Sequence, residues 1–236
     1  MKTLKEARKA LGSSGKFPVS SRICYALPVA GLEAISAVRV MMALLWIRDS
    51  TPGSTRDQVI EVDLADLRSA AGYGDNGSYR QVVEGLSKLW QVSFMTNGGD
   101  VIEVFDFVAA DESDEGKTCR FRMSSDFEDV HETISTDGYG MVDMEEVLRL
   151  ARSIDFPIYL RACAVRKRRK KVFDVTRPEL YCISNKDPDG PVGGAVRSVK
   201  TAVSRVGAIL RSSADVAPID GLGKDRVKGL RVSIGS

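Results

Sequence analysis

Histidine is almost missing from this chain of 236 residues, which has only His131. That excludes twin-histidine zinc proteases, Cys2His2 fingers and the paired-histidine metal site of rolling-circle nucleases. Cysteine is sparse as well: the four residues at positions 24, 119, 163 and 182 show no CxxC spacing, which leaves no zinc ribbon or thiol redox motif. Such dispersed cysteines read as small buried residues in a reducing compartment. No apolar run approaches the roughly 18–20 residues of a membrane span. The best, Val38 to Ile47, follows a charged N-terminus rather than the short basic cap of a signal peptide. A soluble, cytoplasmic protein is expected. No GxxxxGK[ST] loop and no GxGxxG after a strand occurs. His131 lies in the acidic segment Asp126 to Glu132 and reads as an exposed histidine, and the acids of that segment lack EF-hand spacing. The expectation is a protein without catalysis, metal or cofactor.

Charge is present in quantity but hidden by its total. The 34 Lys and Arg against 32 Asp and Glu leave a net +2. Residues 155–236 hold 17 basic and 8 acidic side chains, a balance of +9, which leaves −7 on residues 1–154. A basic block joined to an acidic one points to a polyanion partner for the C-terminal part.

Periodicity organises the chain. Residues 1–30, with a short basic helix candidate at Thr3–Leu11 and the Gly/Ser stretch at 12–15, read as a flexible arm. From Leu32 to Ile47, apolar Ile35, Val38, Met42, Leu45 and Trp46 predict an amphipathic helix. Val59–Val62 predicts a strand, Asp63 a cap for a helix over 64–71, and Ser78 a cap for a helix to about Trp90. Segments 92–96 and 101–108 flank Asn97-Gly98-Gly99-Asp100, a strong hairpin signal. Helix, strand, helix, helix, hairpin is the order of a winged helix, a helix-turn-helix followed by a β wing.

The order occurs twice. Val59–Leu67 matches Val172–Leu180 at a shift of 113, and Thr176 stands where Asp63 stands. Tyr79–Val82 and Leu86–Leu89 match Val196–Val199 and Val203–Val206 at a shift of 117. Ile158–Val165 supplies a second opening helix and Val227–Ile234 a last wing strand. The predicted fold is α+β with two tandem winged-helix domains. An acidic one spans 31–140 and serves dimerisation or a partner, a helical connector spans 141–154, and a basic DNA-binding one spans 155–236.

The helix over 195–211 turns Val196, Val199, Val203, Val206 and Leu210 to one face. Arg197, Thr201, Ser204 and Arg211 lie opposite, with Ser198 in the first turns and Lys200 and Arg205 at the margins. No acid occurs between Gly190 and Ala214. A face of cations and hydroxyls suits a groove walled by phosphates and floored by acceptors, so double-stranded DNA is the expected partner. Arg166, Lys167, Arg168, Arg169, Lys170 and Lys171 form an unbroken run of six cations, more than a helix terminus uses. Lys224, Arg226, Lys228 and Arg231 add cations on the wing. The first copy offers Tyr79, Arg80 and Lys88 but also Glu84, with Asp111–Glu115 beyond its expected wing. Residues 34–154 hold 11 basic and 22 acidic side chains.

In this pattern the chain resembles the replication initiators of iteron-containing plasmids, of the RepA, RepB and RepE type. The likeness is carried by Ala37–Trp46, by Gly99–Phe105 followed by Phe121-Arg122-Met123-Ser124, and by Ile158-Tyr159-Leu160-Arg161. It implies binding of repeated DNA sites at a replication origin by the C-terminal domain. It also implies dimerisation through the N-terminal domain, repression of the protein's own gene and contact with host replication proteins. A transcriptional repressor or phage DNA-binding protein on the same fold is the alternative, and an adaptor without DNA affinity is a third reading.

Overall fold

The computed structural model describes residues 14–51, 53, 55–74, 79–111, 117–166, 168, 171–220 and 227–235. The first elements are β1 (Lys16–Ser20), α1 (Ser21–Tyr25) and β2 (Leu27–Ala30). They fall where a flexible arm was expected, but backbone pairing ties them down. β1 runs antiparallel to residues 139–143, from Lys16 opposite Asp143 to Ser20 opposite Tyr139. β2 pairs with residues 93–95. The expected helix at Thr3–Leu11 lies outside the described residues.

α2 (Ile35–Ser50) is buried all round, with every residue from Val40 to Ile47 shielded, so it is a central rather than an amphipathic helix. Its one mid-helix cation, Arg39, donates from Nη2 to the carbonyls of Leu148 and Leu150 at 2.9 and 3.1 Å. β3 (Ile60–Asp63) leads directly into α3 (Leu64–Ala70), then α4 (Tyr79–Leu89). Gly85 lets α4 lie against α2: a Cβ there would come within 2.8 Å of Val40 Cγ2 and 3.0 Å of the Ser36 carbonyl.

β4 (Ser93–Met95) and β5 (Val101–Glu103) form the hairpin expected from Asn97–Asp100, but it is not the wing. It joins β2 in a sheet of order β2-β4-β5. The wing is the next pair, β6 (Phe105–Asp111) and β7 (Thr118–Met123), with β7 between β3 and β6.

After it come α5 (Ser125–Glu132), capped by the Ser124 hydroxyl accepting from Phe127 N–H at 3.0 Å, and the short α6 (Ile134–Asp137). The connector expected to be helical is instead β8 (Tyr139–Asp143), the partner of β1, and one turn of helix, α7 (Met144–Val147). The second copy then runs α8 (Asp155–Val165), β9 (Val172–Thr176), α9 (Arg177–Ser184), α10 (Val192–Leu210), β10 (Ala214–Asp220) and β11 (Val227–Ile234). Thr176 and Glu179 close a capping box at the start of α9, with Pro178 in its first turn.

The duplication extends to register. In the first copy Ile60, Glu61 and Val62 face Phe121, Arg120 and Cys119. In the second, Phe173, Asp174 and Val175 face Val232, Arg231 and Leu230. Each copy thus sets two apolar pairs inward and one acid–arginine pair outward: Glu61 with Arg120 at 3.6 Å, Asp174 with Arg231 at 2.8 Å. Both copies are winged helices, and the fold class expected from the sequence is the one observed.

One apolar cluster runs through both copies, taking in Trp46, Phe94 and Phe121 with Phe156, Val203 and Leu230. Arg161, 1% exposed, crosses the seam, donating to the Tyr25 carbonyl at 3.2 Å and the Asp174 carbonyl at 3.1 Å while pairing with Glu179 at 2.5 Å. Among the described residues no helix is long and apolar enough to cross a membrane.

Candidate nucleic-acid interface

α10 is the longest helix among the described residues, and its sequence divides it cleanly. Ala195, Val199, Ala202, Val203, Val206 and Leu210 are buried, while Arg197, Lys200, Thr201 and Ser204 are exposed and Ser198 is half-buried. Thr201 Oγ1 donates back to the Arg197 carbonyl at 2.9 Å, which leaves its lone pairs outward as acceptors. Among the described residues, Arg197, Lys200 and Arg211 make no ion pair. Arg211 caps the helix in a left-handed conformation, φ +53, and is exposed.

The helix starts at Val192, three residues earlier than the sequence predicts, so Gly193 and Gly194 belong to its first turn. A Cβ on either would meet nothing within 4 Å, and that turn holds no acid. Bare backbone N–H groups at the positive end of a long helix are suited to receive a phosphate oxygen.

Three of the expected contacts are engaged elsewhere. Arg205 grips Asp155, whose carboxylate is fully buried, with its Nε 3.0 Å from both oxygens, so it fastens α10 to the start of α8. Arg166 forms a two-pronged pair with Glu146 at 3.0 and 2.6 Å, and this raises its pKa further. Arg231 holds Asp174 across the wing sheet, and that hydrogen bond lowers the pKa of the Asp174 carboxyl. These cations shape the surface rather than standing free on it, because a carboxylate neutralises each guanidinium in place. Arg168 is exposed, over the Tyr25 ring at 5.8 Å. Lys171 is half-buried, and Lys228 is exposed on β11. Lys167, Arg169, Lys170, Lys224 and Arg226 lie outside the described residues.

In the first copy Tyr79 is not displayed. Its ring is covered by Arg68 at 4.5 Å and Lys117 at 5.2 Å. Arg80 is exposed and Lys88 half-buried, with exposed Glu84 one turn from both. Because the sequence reading set the wing on the wrong hairpin, it missed Arg120 and Arg122, the cations of the true wing strand. They pair with Glu61 at 3.6 Å and Asp106 at 3.4 Å. It also passed over Trp90, 66% exposed just past α4.

No protein-family model matches the chain. No curated protein matches it either. Solved structures do. A Pi initiator protein in complex with iteron DNA aligns with 15% identity and a TM-score of 0.66 over 93% of this chain and 96% of that one. Domains 2 and 3 of RctB align with 13% identity and a TM-score of 0.50 over 86% and 83%. At this identity the likeness is one of fold, and it is the fold that the sequence resemblance to replication initiators implies.

Proposed function

We propose that the chain is a sequence-specific DNA-binding protein that recognises repeated sites at a plasmid-type replication origin and initiates replication, also repressing its own gene. The observation that carries this reading is the exposed face of α10, cations and hydroxyls without an acid, on a fold shared with an initiator bound to iteron DNA. In this reading α10 enters the major groove. Arg197, Ser198, Thr201 and Ser204 face base edges, while Lys200, Arg211, Arg168, Lys171 and Lys228 meet phosphates, joined by Lys167, Arg169, Lys170, Lys224 and Arg226.

The first copy is acidic, and Glu84 sits between its two helix cations, so it serves chiefly self-association and host replication proteins. Exposed Trp90 and Val101 supply apolar contact area there. The protein acts in the cytoplasm by binding, without catalysing a reaction.

Footprinting on DNA flanking the gene tests this reading. Protection of an array of direct repeats is the expected result. A single protected palindrome would favour a repressor, and no protection would leave an adaptor. If six to eight cations reach phosphates, log affinity falls with log salt at a slope of about −5 to −7. A salt-independent interaction would sink the assignment.

A further inference from the structure

We infer that Thr201 reads one base pair of the DNA site by the polarity of its edge. On one strand it selects a base that carries an exocyclic amino group, adenine or cytosine, over guanine or thymine. This deepens the function proposed above and rests on α10 lying in the major groove.

A threonine hydroxyl has one hydrogen to donate and two lone pairs that accept. In Thr201 that hydrogen is already committed, because Oγ1 donates to the Arg197 carbonyl at 2.9 Å, four residues back along the helix. A β-branched side chain is stiff at χ1, and the back bond fixes which rotamer is used. Thr201 is exposed, so what it presents to a groove is an acceptor only.

The other polar side chains of the face differ. Arg197 and Lys200 can only donate. Ser198 and Ser204 make no side-chain hydrogen bond among the described residues, so their hydroxyls turn to donate or accept as a partner requires. The usual readers of amino groups, Asn or Gln for adenine and Asp or Glu for cytosine, are absent from Val192–Leu210. Thr201 is therefore the one acceptor-only side chain on α10.

Each base pair shows the major groove one amino group and one keto oxygen, and the strand that carries the amino group distinguishes a pair from its reverse. Opposite adenine N6 or cytosine N4, Thr201 Oγ1 receives a hydrogen. Opposite guanine O6 or thymine O4, two acceptors meet with no hydrogen between them unless the hydroxyl gives up the Arg197 carbonyl. One hydrogen bond is lost in either event. Arg197, one turn earlier, has the converse preference, since its donors suit guanine O6 and N7. Four helical residues advance about 6 Å and a base pair about 3.4 Å, so the two readings fall one or two pairs apart.

The test is selection of bound sequences from a randomised DNA library by the full chain, followed by titration of single-base variants of the selected site. One or two pairs from the guanine whose preference Arg197→Ala removes, adenine and cytosine should bind within about twofold of each other. Guanine and thymine should bind there about tenfold more weakly, the loss of one hydrogen bond. Thr201→Val keeps the shape and removes the oxygen, so all four bases should bind alike at that position while the guanine preference stays. Thr201→Ser, which restores the hydroxyl, should restore the amino preference. Replacing the adenine by 2′-deoxynebularine, its analogue without the amino group, should cost the wild-type chain about tenfold and Thr201→Val nothing. The analogue acts on the wild-type protein, so its result does not depend on how a variant folds. Ser204→Ala should weaken binding without changing the amino preference.

Indifference or a keto preference at that position in the wild-type chain overturns the assignment to Thr201. An amino preference that survives Thr201→Val, or one that Ser204→Ala abolishes, overturns it as well, and each of these outcomes leaves the DNA-binding function standing. Selection of no sequence, or of a site whose preference Arg197→Ala does not touch, overturns the function proposed for α10 and this inference with it.

Discussion

Arg197 and Arg205 lie about two turns apart on α10 and do opposite work. Arg197 is exposed and without an ion pair among the described residues, so Arg197→Ala should leave stability within about 0.5 kcal/mol. In a binding assay on single-base variants of the site, the same change should relax preference at one base pair by about 1–3 kcal/mol. Arg205→Ala strands the Asp155 carboxylate in the interior and should cost about 3 kcal/mol in urea unfolding. If Arg205→Ala were neutral to folding and damaging only to DNA binding, the pair would not be the fastening it is described as. His131 makes a second residue-scale case. It stacks on Phe127 at 6.0 Å between ring centres, and burial, with Arg48 nearby, pushes its pKa down to about 4. Between that value and the ordinary 6.5 the unfolded chain binds a proton that the folded chain refuses. Stability is therefore fully held above about pH 6.5 and falls as the pH drops towards 4, by about 3 kcal/mol. His131→Gln should flatten that part of the stability profile. The sequence read His131 as exposed because its neighbours are acidic. Phe17, Val19 and Leu45, distant in the chain, line one small void with it, and no local pattern announces them.

At the scale of elements, local signals were read well and long-range pairing was not. The helix starts at Asp63 and Thr176 were legible because their signals lie within four residues, although only Thr176 closes a cap with Glu179 and the Asp63 side chain makes no capping hydrogen bond. The Asn97–Asp100 turn was legible too, but a turn fixes only that two strands meet, not which sheet they join. The true wing of the first copy was hidden because β7 recognises β3 across more than fifty residues. The likeness of Cys119-Arg120-Phe121 to Leu230-Arg231-Val232, within the wing strand expected in the second copy, is the signal that marks the wing strand of the first. The start of α10 was missed for a different reason: two glycines disfavour a helix, and they stand where a bare backbone suits a phosphate. Gly194→Asp separates these effects. It should hold or raise the melting temperature, since an acid in the first turn is favoured by the helix dipole, while weakening DNA binding at least about tenfold. A parallel loss of both would make Gly194 a folding residue only.

Across the whole molecule, charge and core divide differently. Charge splits the chain into an acidic and a basic part, which was legible from counting alone. The apolar core does not split: a single cluster runs through both copies, and Arg39, Arg149 and Arg161 carry hydrogen bonds into segments far from their own. This was not legible, because a duplicated pattern reads naturally as two independent domains on a linker, and the arm that laces them was read as loose. The consequence is cooperative unfolding. Both tryptophans, Trp46 and Trp90, lie in the first copy, so their fluorescence reports on it, whereas far-ultraviolet circular dichroism reports on helices of both. With one shared core the two urea transitions should coincide, with one midpoint and one slope. Arg161→Ala leaves Glu179 without its ion-pair partner and frees the Tyr25 carbonyl, so it should lower that midpoint for both probes together. If fluorescence and dichroism instead separated in the wild-type chain, the copies would be independent folding units and the seam a docking contact. If they separated only in Arg161→Ala, the arginine would be what makes them one.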